Sequence, residues 1–288
     1  MSISIYTFVT ELNFNIVMKE KLKNQFAVIT GASQGLGRAF ALELARRHYN
    51  VVLVSLPEQN LEQLSEWISK EYKVEAIYYE TDFSVDSNIR LLSSWLNKNF
   101  NISILINNAG IGGTQSFEQA HIDYIDAIIQ VNIKATVLLT HQLLTNLKRQ
   151  PHSYILNVSS IAAFSPMGYK TVYPASKAFV HSFSRGLYAE LKDTNVFVSV
   201  INPGAMATNK EITSRIERQG IFGKLTLLDP AKVARYSIGR LFKRDTVIML
   251  NPLIWLLATV LPIWIKLPMM TNIVKREVLY ENSVCNGY

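Results

Sequence analysis

Short runs of β-branched and other apolar residues alternate along this chain with longer segments whose apolar residues recur every three or four positions. This alternation is typical of βαβ units, in which helices connect parallel strands. Most of the short runs are almost continuously apolar, as expected when helices cover both faces of a sheet. The chain is therefore predicted to adopt an α/β fold, a doubly wound parallel sheet of about seven strands with helices on both faces.

The predicted elements follow one another without a break. Strands are predicted at residues 26–30, 51–55, 74–80, 102–107, 153–159, 196–202 and 246–250. Helices are predicted within residues 36–48, 60–73, 124–147, 173–192 and 230–242. No repeat, low-complexity tract or linker rich in Pro or Gly separates them. We therefore expect one domain at 24–250, preceded by an extension at 1–23 and followed by an apolar appendage at 251–288.

Composition and charge exclude several classes of protein and of binding partner. The 288 residues carry 29 Lys and Arg against 22 Asp and Glu, and 49% are hydrophobic, which excludes a disordered chain. The lone Cys285 excludes an internal disulfide. Met1–Thr208 has 17 basic and 16 acidic residues, whereas Asn209–Tyr288 has 12 and 6. Because the positive excess lies in the second part, nucleic acid is not expected as a partner, and an acidic amphiphilic substrate or an anionic membrane surface remain as alternatives.

A glycine-rich turn follows the first predicted strand. Thr30-Gly31-Ala32-Ser33-Gln34-Gly35-Leu36-Gly37 runs directly into a helical pattern. Small residues at such a turn let backbone N–H groups approach a pyrophosphate, and the helix N-terminus adds partial positive charge. The spacing differs from the common Gly-x-Gly-x-x-Gly, so a purely structural tight turn is the alternative. The turn predicts a dinucleotide site at the end of the first strand.

Five further motifs carry a family resemblance. They are Asn107-Asn108-Ala109-Gly110, Asn132, Ser160, Tyr173-Pro174-Ala175-Ser176-Lys177, and Pro203-Gly204 with Thr208. In this order and at these spacings, over about residues 25–250, the chain resembles the short-chain dehydrogenases/reductases. The resemblance implies a Rossmann fold, an NAD(P)-dependent oxidoreductase that moves a hydride between nicotinamide and a small-molecule carbonyl or alcohol substrate, and a homodimer or homotetramer. A catalytically idle nucleotide-binding sensor or scaffold is the alternative.

The chemistry of the catalytic set can be argued from the residues. Tyr173 and Lys177 share a helix face, and a nearby cation lowers the pKa of a tyrosine, whose ordinary value is about 10. A solvated surface pair is the alternative. The resemblance makes Tyr173 the general acid/base, Lys177 its pKa depressor and ribose ligand, Ser160 the oxyanion binder and Asn132 a link in a proton relay. Ser159 is the alternative to Ser160 for the role of oxyanion binder. Asn132 could instead cap or kink its helix.

The resemblance also implies the residues that bind the cofactor. They are Gly31, Ser33, Gln34, Gly35, Leu36, Gly37, Ser55, Asp82, Phe83, Asn108, Ala109, Gly110, Tyr173, Lys177, Pro203, Gly204 and Thr208. An acid at the end of the second strand would bind the ribose 2′-OH and repel a 2′-phosphate, but Ser55 and Leu56 stand there. We expect NADP in preference to NAD, with Arg38 reaching the phosphate. No metal is expected, since the five His residues show no tight ligand spacing.

Between Pro203-Gly204 and Pro230 the family carries a variable substrate lid, here about residues 205–228. Its apolar residues are Met206, Ile212, Ile216, Ile221, Phe222 and Leu225. They predict a hydrophobic substrate, such as a fatty-acyl, steroid-like or aromatic ketone. Plain core or a subunit interface is the alternative.

The appendage has no charged residue from Val247 to Ile265. Pro252 and Pro262 limit a continuous helix to about ten residues, which is too short to cross a bilayer. Two tryptophans and three basic residues are compatible with peripheral membrane contact, but a cover over the substrate pocket or a dimer contact is the favoured interpretation. The residues are Trp255, Trp264, Lys243, Arg244 and Lys266. Residues 1–17 contain Glu11 and no Lys or Arg, so no export signal is expected. We expect a cytoplasmic location, with membrane association left open.

Overall fold

Seven parallel strands form a single sheet in the computed structural model, which describes residues 24–204, 206 and 228–285, with side chains as far as Arg276. The strands are β1 (Phe26–Thr30), β2 (Asn50–Ser55), β3 (Ala76–Glu80), β4 (Ile102–Asn107), β5 (Ser153–Val158), β6 (Val196–Asn202) and β7 (Val247–Met249). Their order across the sheet is β3-β2-β1-β4-β5-β6-β7, and every neighbouring pair is parallel. The predicted doubly wound sheet is confirmed. The predicted extension at 1–23 lies outside the described residues.

Helices connect these strands. They are α1 (Gly35–Arg46), α2 (Leu61–Tyr72), α3 (Asp86–Asn99), α4 (Ile122–Ile128), α5 (Thr136–Arg149), α6 (Val172–Leu191), α7 (Pro230–Phe242), α8 (Pro252–Val260) and α9 (Ile263–Cys285). The helix predicted at 124–147 is in fact α4 and α5 joined by a π-helix at Ile129–Ala135. A 3₁₀ helix at Ile161–Phe164 follows β5. The predicted helix at 230–242 has the observed bounds.

Both faces of the sheet are covered, as the apolar strands predicted. All residues of β1, β2 and β4 are buried. One core cluster packs α1 and α7 against the sheet through residues such as Phe40 and Ile238, and a second packs α3 and α5 through Leu92 and Leu139. Burial of this apolar surface fixes the sheet from two sides and leaves its carboxyl edge, where the strands end, for binding and chemistry.

The connections reverse direction beside β1. The chain passes from β1 outward through β2 to β3, and then returns to place β4 on the other side of β1. In an open parallel sheet this switch point leaves a crevice at the carboxyl ends of the two strands, where ligands bind. The glycine-rich turn after β1 and the Asn108-Ala109-Gly110 segment after β4 therefore meet at the position where the sequence predicts the cofactor.

Two helices follow β7. Pro252 occupies the first turn of α8, whose N-terminus is capped by Asn251, and α8 ends after nine residues as the prolines predicted. The next helix, α9, continues through Pro268. Within the described part of the chain no single helix is long and apolar enough to cross a membrane; α8 together with Ile263–Arg276 passes that test, but the two segments are bent by 118°.

Candidate active site

The glycine-rich turn is packed against itself and against the start of the next segment. Gly31 and Gly35 adopt φ values of +66° and +56°, which L side chains rarely adopt. A Cβ at Gly37 would lie 2.0 Å from the Gly31 carbonyl oxygen. The conformation of the turn therefore requires glycine at these positions, which agrees with the structural alternative given for this motif. The tight turn also brings the N-terminus of α1 to the carboxyl edge of the sheet.

The N-terminus of α1 fits an anionic group. Gln34, at the N-cap, makes no side-chain hydrogen bond to the helix, and the first turn contains no acidic residue. The first N–H groups of a helix lack partners within it and carry the positive end of its dipole. Because this end lies beside the crevice between β1 and β4, the residues present fit the pyrophosphate of a dinucleotide.

Thr30 and Asn108 hold the two sides of the crevice together. Thr30 Oγ1 accepts hydrogen bonds from the N–H groups of Asn108 at 3.0 Å and Ala109 at 2.9 Å. The Asn108 amide Nδ2 donates to the Thr30 carbonyl at 2.9 Å. In this structure the Asn108 side chain thus supports the glycine-rich turn, and Thr30 is a site residue that sequence reasoning did not single out.

The end of β2 presents hydroxyl and amide groups. Ser55 Oγ donates to Ser33 Oγ at 2.9 Å, and Ser33 Oγ donates to Gln59 Oε1 at 3.2 Å. Leu56 is 46% exposed, and Arg38 is exposed in the first turn of α1. The cluster of Ser33, Ser55 and Gln59 contains no carboxylate that would repel a 2′-phosphate.

Asp82 and Phe83 follow β3 and differ in surroundings. Asp82 Oδ1 accepts the Ser84 N–H at 2.8 Å and so closes the turn before α3. The Phe83 side chain is 5% exposed and packs in the core beneath α3 and α5. Asp82 is thus the more exposed of the two, and its contact with an adenine stays a prediction.

The segment after β6 contacts the catalytic side of the site. The Pro203 carbonyl accepts the Ile161 N–H at 2.9 Å, and Gly204 follows at the same edge. Met206 and Leu228 form an isolated parallel bridge. Thr208 and the other predicted lid residues lie outside the described residues.

Residues 159–171 form the loop between β5 and α6, which we call the catalytic loop. Ser160 lies at its start, and Tyr173 lies in the first turn of α6 directly after it. Ser160 Oγ accepts the Ala162 N–H at 3.1 Å and donates to the Pro203 carbonyl at 3.4 Å. Burial raises the pKa of Tyr173 above its ordinary value of 10.0, and a hydrogen bond with Ser160 lowers that pKa in part. The structure thus joins the two hydroxyls that the sequence predicted to act together.

Lys177 is a buried cation, so the predicted alternative of a solvated surface pair is wrong. Its side chain is 5% exposed, and Nζ donates to the Val158 carbonyl at 2.9 Å. Burial lowers the pKa of Lys177 to about 8. Nζ lies 5.9 Å from the centre of the Tyr173 ring. Burial is the main influence on the pKa of Tyr173 in this structure. The lowering of that pKa by Lys177 stays a prediction.

Asn132 lies within the π-helix and is 1% exposed. Its Oδ1 accepts the Ile111 N–H at 2.8 Å, and its Nδ2 donates to the Ile111 carbonyl at 2.9 Å and to Ser176 Oγ at 3.0 Å. The widened helical turn lets this side chain bridge the segment after β4 and helix α6. The distortion of its helix, which the sequence offered as the alternative role, is present; the proton-relay role stays a prediction.

Two serines tie the backbone of the site together, and sequence reasoning assigned neither this role. Ser159 Oγ donates to the Lys177 carbonyl at 2.7 Å, and Ser176 Oγ donates to the Tyr173 carbonyl at 2.7 Å. The Ser159 hydroxyl is therefore engaged in a hydrogen bond with the backbone of α6. Of the two candidate serines, Ser160 is the one that lies beside Tyr173. The position of Ser176 within the Tyr-x-x-x-Lys motif was the available signal for its role.

A cavity opens beside Tyr173. Its wall includes Tyr124, Ile128, Tyr169, Thr171 and Val172. The wall is mixed: its aromatic and aliphatic side chains are joined by the Gln115 amide and the Lys170 side chain, and no acid lines it. Across the described residues no group of three or more His, Cys, Asp or Glu side chains is placed to hold a metal ion. The chemistry available here is proton transfer and hydrogen bonding.

Comparison with known proteins identifies the family. The family model for short chain dehydrogenase matches residues 25–219. The very-long-chain 3-oxoacyl-CoA reductase of Anas platyrhynchos is 35% identical over 220 residues, 74% of this chain and 68% of that protein. The chain therefore belongs to the short-chain dehydrogenase family of oxidoreductases, and the suspected resemblance is confirmed.

Two other relatives show that members of this family differ in activity. The inactive hydroxysteroid dehydrogenase-like protein 1 of Pongo abelii is 31% identical over 271 residues, 93% of this chain and 81% of that protein. The solved structure of a short-chain dehydrogenase from Sphingobium yanoikuyae in complex with NADPH superposes with a TM-score of 0.70 at 28% identity, over 78% of this chain and 87% of that one. The family includes a relative named as inactive, so activity has to be argued from this chain's own site. The oligomeric state and the cytoplasmic location stay predictions.

The buried Lys177 predicts a pH-dependent stability. Its pKa is about 8 in the folded protein against 10.5 for an unperturbed lysine. Between these values the unfolded chain holds a proton that the folded protein has released, so the free energy of unfolding should rise as the pH rises above 8. Urea unfolding at pH values from about 7 to 10 should show this rise in the wild type and in Lys70→Met, which removes an exposed cation, but not in Lys177→Met. A rise of the same size in all three proteins would contradict the assignment to Lys177.

Proposed function

We propose that the protein is an active NADP(H)-dependent oxidoreductase that interconverts a hydrophobic carbonyl compound and its alcohol. The observation that carries the proposal is that Ser160 lies beside buried Tyr173, with the buried Lys177 Nζ 5.9 Å from the centre of the Tyr173 ring, at the same sheet edge as the N-terminus of α1. A proton donor next to a dinucleotide site is what carbonyl reduction requires.

In the direction of reduction, bound NADPH would supply a hydride to the carbonyl carbon. Ser160 Oγ donates a hydrogen bond to the carbonyl oxygen and holds that oxygen beside Tyr173. Tyr173 Oη gives its proton to the same oxygen as negative charge develops there, and an O–H bond replaces the C–O double bond character. Because burial raises the pKa of Tyr173, the phenol stays protonated at neutral pH and is ready to act as an acid. In oxidation Tyr173 takes the proton back.

Lys177 and Asn132 support this proton transfer. With a pKa of about 8, Lys177 is mostly charged at neutral pH, and its ammonium lies behind the Tyr173 ring, where it would bind the ribose hydroxyls of the cofactor. Asn132 holds the Ile111 backbone against Ser176 and so fixes the start of α6. We propose that these two residues also link Tyr173 to solvent protons, as the resemblance implies.

A long-chain 3-oxoacyl thioester is the substrate that the observations favour. The cavity beside Tyr173 has aromatic and aliphatic side chains such as Phe117 and Ile128 in its wall, and Lys170 adds a basic side chain that suits an acidic substrate. The 35% identical relative is named a very-long-chain 3-oxoacyl-CoA reductase. The residues Asn209–Tyr288 carry an excess of six positive charges, which suits the phosphates of an acyl thioester better than a neutral ketone. A steroid-like or aromatic ketone is the alternative within the same reaction class.

Tyr173→Phe distinguishes an enzyme from an idle nucleotide-binding protein. Loss of the proton donor should lower turnover of a 3-oxoacyl thioester by about 10²- to 10⁴-fold while the Kd for NADPH changes little. Tyr188→Phe is the matched control, since Tyr188 lies on the same helix with its ring against Phe197, 5.7 Å between centres, and should retain activity. Absence of turnover in the wild type over a panel of thioesters, steroids and aromatic ketones would rule the enzyme out in favour of a sensor or scaffold.

We further propose that NADP is preferred to NAD. Support comes from the hydroxyl and amide cluster at the end of β2 and from exposed Arg38 in the first turn of α1. An arginine forms charge-assisted hydrogen bonds to phosphate, and such bonds contribute about 1.5–3 kcal/mol.

The cofactor preference is tested by titrating NADPH and NADH into two arginine variants. Arg38→Gln should weaken NADPH binding by about tenfold or more and leave NADH binding nearly unchanged, because only NADPH carries the 2′-phosphate. Arg149→Gln is the control, since Arg149 ends α5 before β5 begins, at the opposite edge of the sheet. Equal weakening of both cofactors in Arg38→Gln would mean that Arg38 does not read the phosphate.

The structure revises the basis for membrane contact. Lys266 is 8% exposed and donates hydrogen bonds to carbonyl groups, and Trp255 is half-buried. Neither side chain is therefore free to contact lipid, which corrects the prediction for these two residues. The outer face of α8 and α9 nevertheless exposes large apolar side chains: Leu253 at 65%, Val260 at 69% and Trp264 at 73%. We propose that this face lies in the interface of an anionic membrane, aided by exposed Lys243 and Arg244.

Vesicle flotation tests the membrane proposal. The wild type should float with vesicles of phosphatidylcholine and phosphatidylserine, and Leu253→Ser with Trp264→Ser should remain at the bottom because apolar area at the interface is lost. Leu91→Ser removes an exposed leucine from α3 and should float as the wild type does. Recovery of the wild type away from the vesicles would remove membrane contact and leave a pocket cover or a dimer contact.

A further inference from the structure

The C-terminal helices are bonded to the catalytic loop. Lys266 Nζ, on α9, donates to the Phe164 carbonyl at 2.6 Å across 102 residues of sequence. Thr271 Oγ1, further along α9, accepts the Gly168 N–H at 2.9 Å across 103 residues. Helix α9, which follows the last strand of the sheet in sequence, thus holds the catalytic loop at two points.

Lys266 joins the C-terminal ends of two helices. Nζ also donates to the Ala258 carbonyl at 2.5 Å, in the last turn of α8, and Phe164 is the last residue of the 3₁₀ helix. Carbonyls at these positions lack partners within their helices and carry the negative end of the dipole, so a buried ammonium is well placed between them. Because a buried cation is costly without such bonds, the geometry of this junction is tightly specified. Lys266 therefore fixes where the 3₁₀ helix ends.

Thr271 fixes the second half of the loop. A Cβ at Gly168 would lie 2.8 Å from Thr271 Cγ2, so the helix and the loop backbone are in close contact there. The next residue, Tyr169, has a φ of +60°, and its carbonyl accepts the Gln115 N–H at 2.7 Å on the other side. Tyr169 also lines the cavity beside Tyr173. The hydrogen bond to Thr271 thus supports a strained position at the wall of the substrate cavity.

The hydrogen bonds of Lys266 and Thr271 affect the position of Ser160 relative to Tyr173 through the 3₁₀ helix. Ser160 is its N-cap and accepts the Ala162 N–H. Phe164, at its other end, packs its ring against His181 of α6 with 4.9 Å between ring centres. Displacement of Phe164 would therefore change the position of Ser160 relative to α6, the helix that carries Tyr173.

We propose that Lys266 and Thr271 are positioning residues that hold Ser160 beside Tyr173 by fixing the shape of the catalytic loop. This inference rests on the proposed oxidoreductase function. It assigns no chemical step to either residue: both act through the shape of the catalytic loop.

Kinetics of matched variants test the proposal. Lys266→Met and Thr271→Val should each lower kcat by about 10- to 100-fold, the effect of a displacement near 1 Å, with the Kd for NADPH unchanged within about twofold. Thr271→Ser keeps the hydroxyl and should keep the activity, and Lys275→Met removes an exposed lysine of the same helix and should have no effect. Wild-type kcat in Thr271→Val, or an equal loss in Lys275→Met, would overturn the proposal.

A double-mutant cycle separates positioning from general stability. If Lys266 acts through Ser160, adding Lys266→Met to Ser160→Ala should lower kcat by much less than it does in the wild type. The same fold-loss in both backgrounds would show that Lys266 does not act through Ser160, which contradicts the proposal. Should Lys266→Met fail to fold, the Thr271→Val and Thr271→Ser pair in the same two backgrounds decides the question.

Hydrogen exchange gives a readout that needs no turnover. Peptides covering residues 161–171 should exchange faster in Thr271→Val than in Thr271→Ser, while peptides of β1 and β4 are unchanged. Equal exchange in the two variants would show that α9 does not hold the loop. This measurement needs no substrate and no activity. An inactive wild type would refute the proposed function, but hydrogen exchange would still show whether Thr271 holds the catalytic loop.

Discussion

A buried ammonium group organises the catalytic side of this protein. Lys177 Nζ is removed from water and bonded to the Val158 carbonyl, so helix α6 is attached to the end of β5 at that point. The Ser159 hydroxyl adds a second bond between the same elements through the Lys177 carbonyl. With α6 fixed in this way, Tyr173 and Ser160 meet at the carboxyl edge of the sheet. The proposed proton transfer depends on this attachment, because a proton donor is useful only at a defined distance from its acceptor.

The site is held from two sides by segments distant in sequence. From one side Asn132, in the π-helix, bridges the segment after β4 to Ser176. From the other side Lys266 and Thr271 hold the catalytic loop. The α9 helix thus has two different faces, one bonded to the loop and one apolar and exposed at Trp264.

Sequence reasoning recovered the features that depend on local pattern. The seven strands, their parallel arrangement and the positions of the glycine-rich turn follow from periodicity and from residue types that are confined to such turns. It missed features that tertiary contacts decide. The π-helix around Asn132 depends on bonds to Ile111 and α6. The burial of Lys266 depends on carbonyls up to 102 residues away, whereas its place beside an apolar stretch of the sequence predicts a membrane flank.

The central claim is that this chain transfers a hydride at the site built around Tyr173. Its most direct test is to incubate the protein with a long-chain 3-oxoacyl thioester and NADPH carrying deuterium in both C4–H positions, and to measure the product mass by mass spectrometry. We predict a 3-hydroxyacyl thioester with one deuterium on its new C–H bond. Unchanged thioester after complete binding of NADPH, or a reduced product without the label, would contradict the claim.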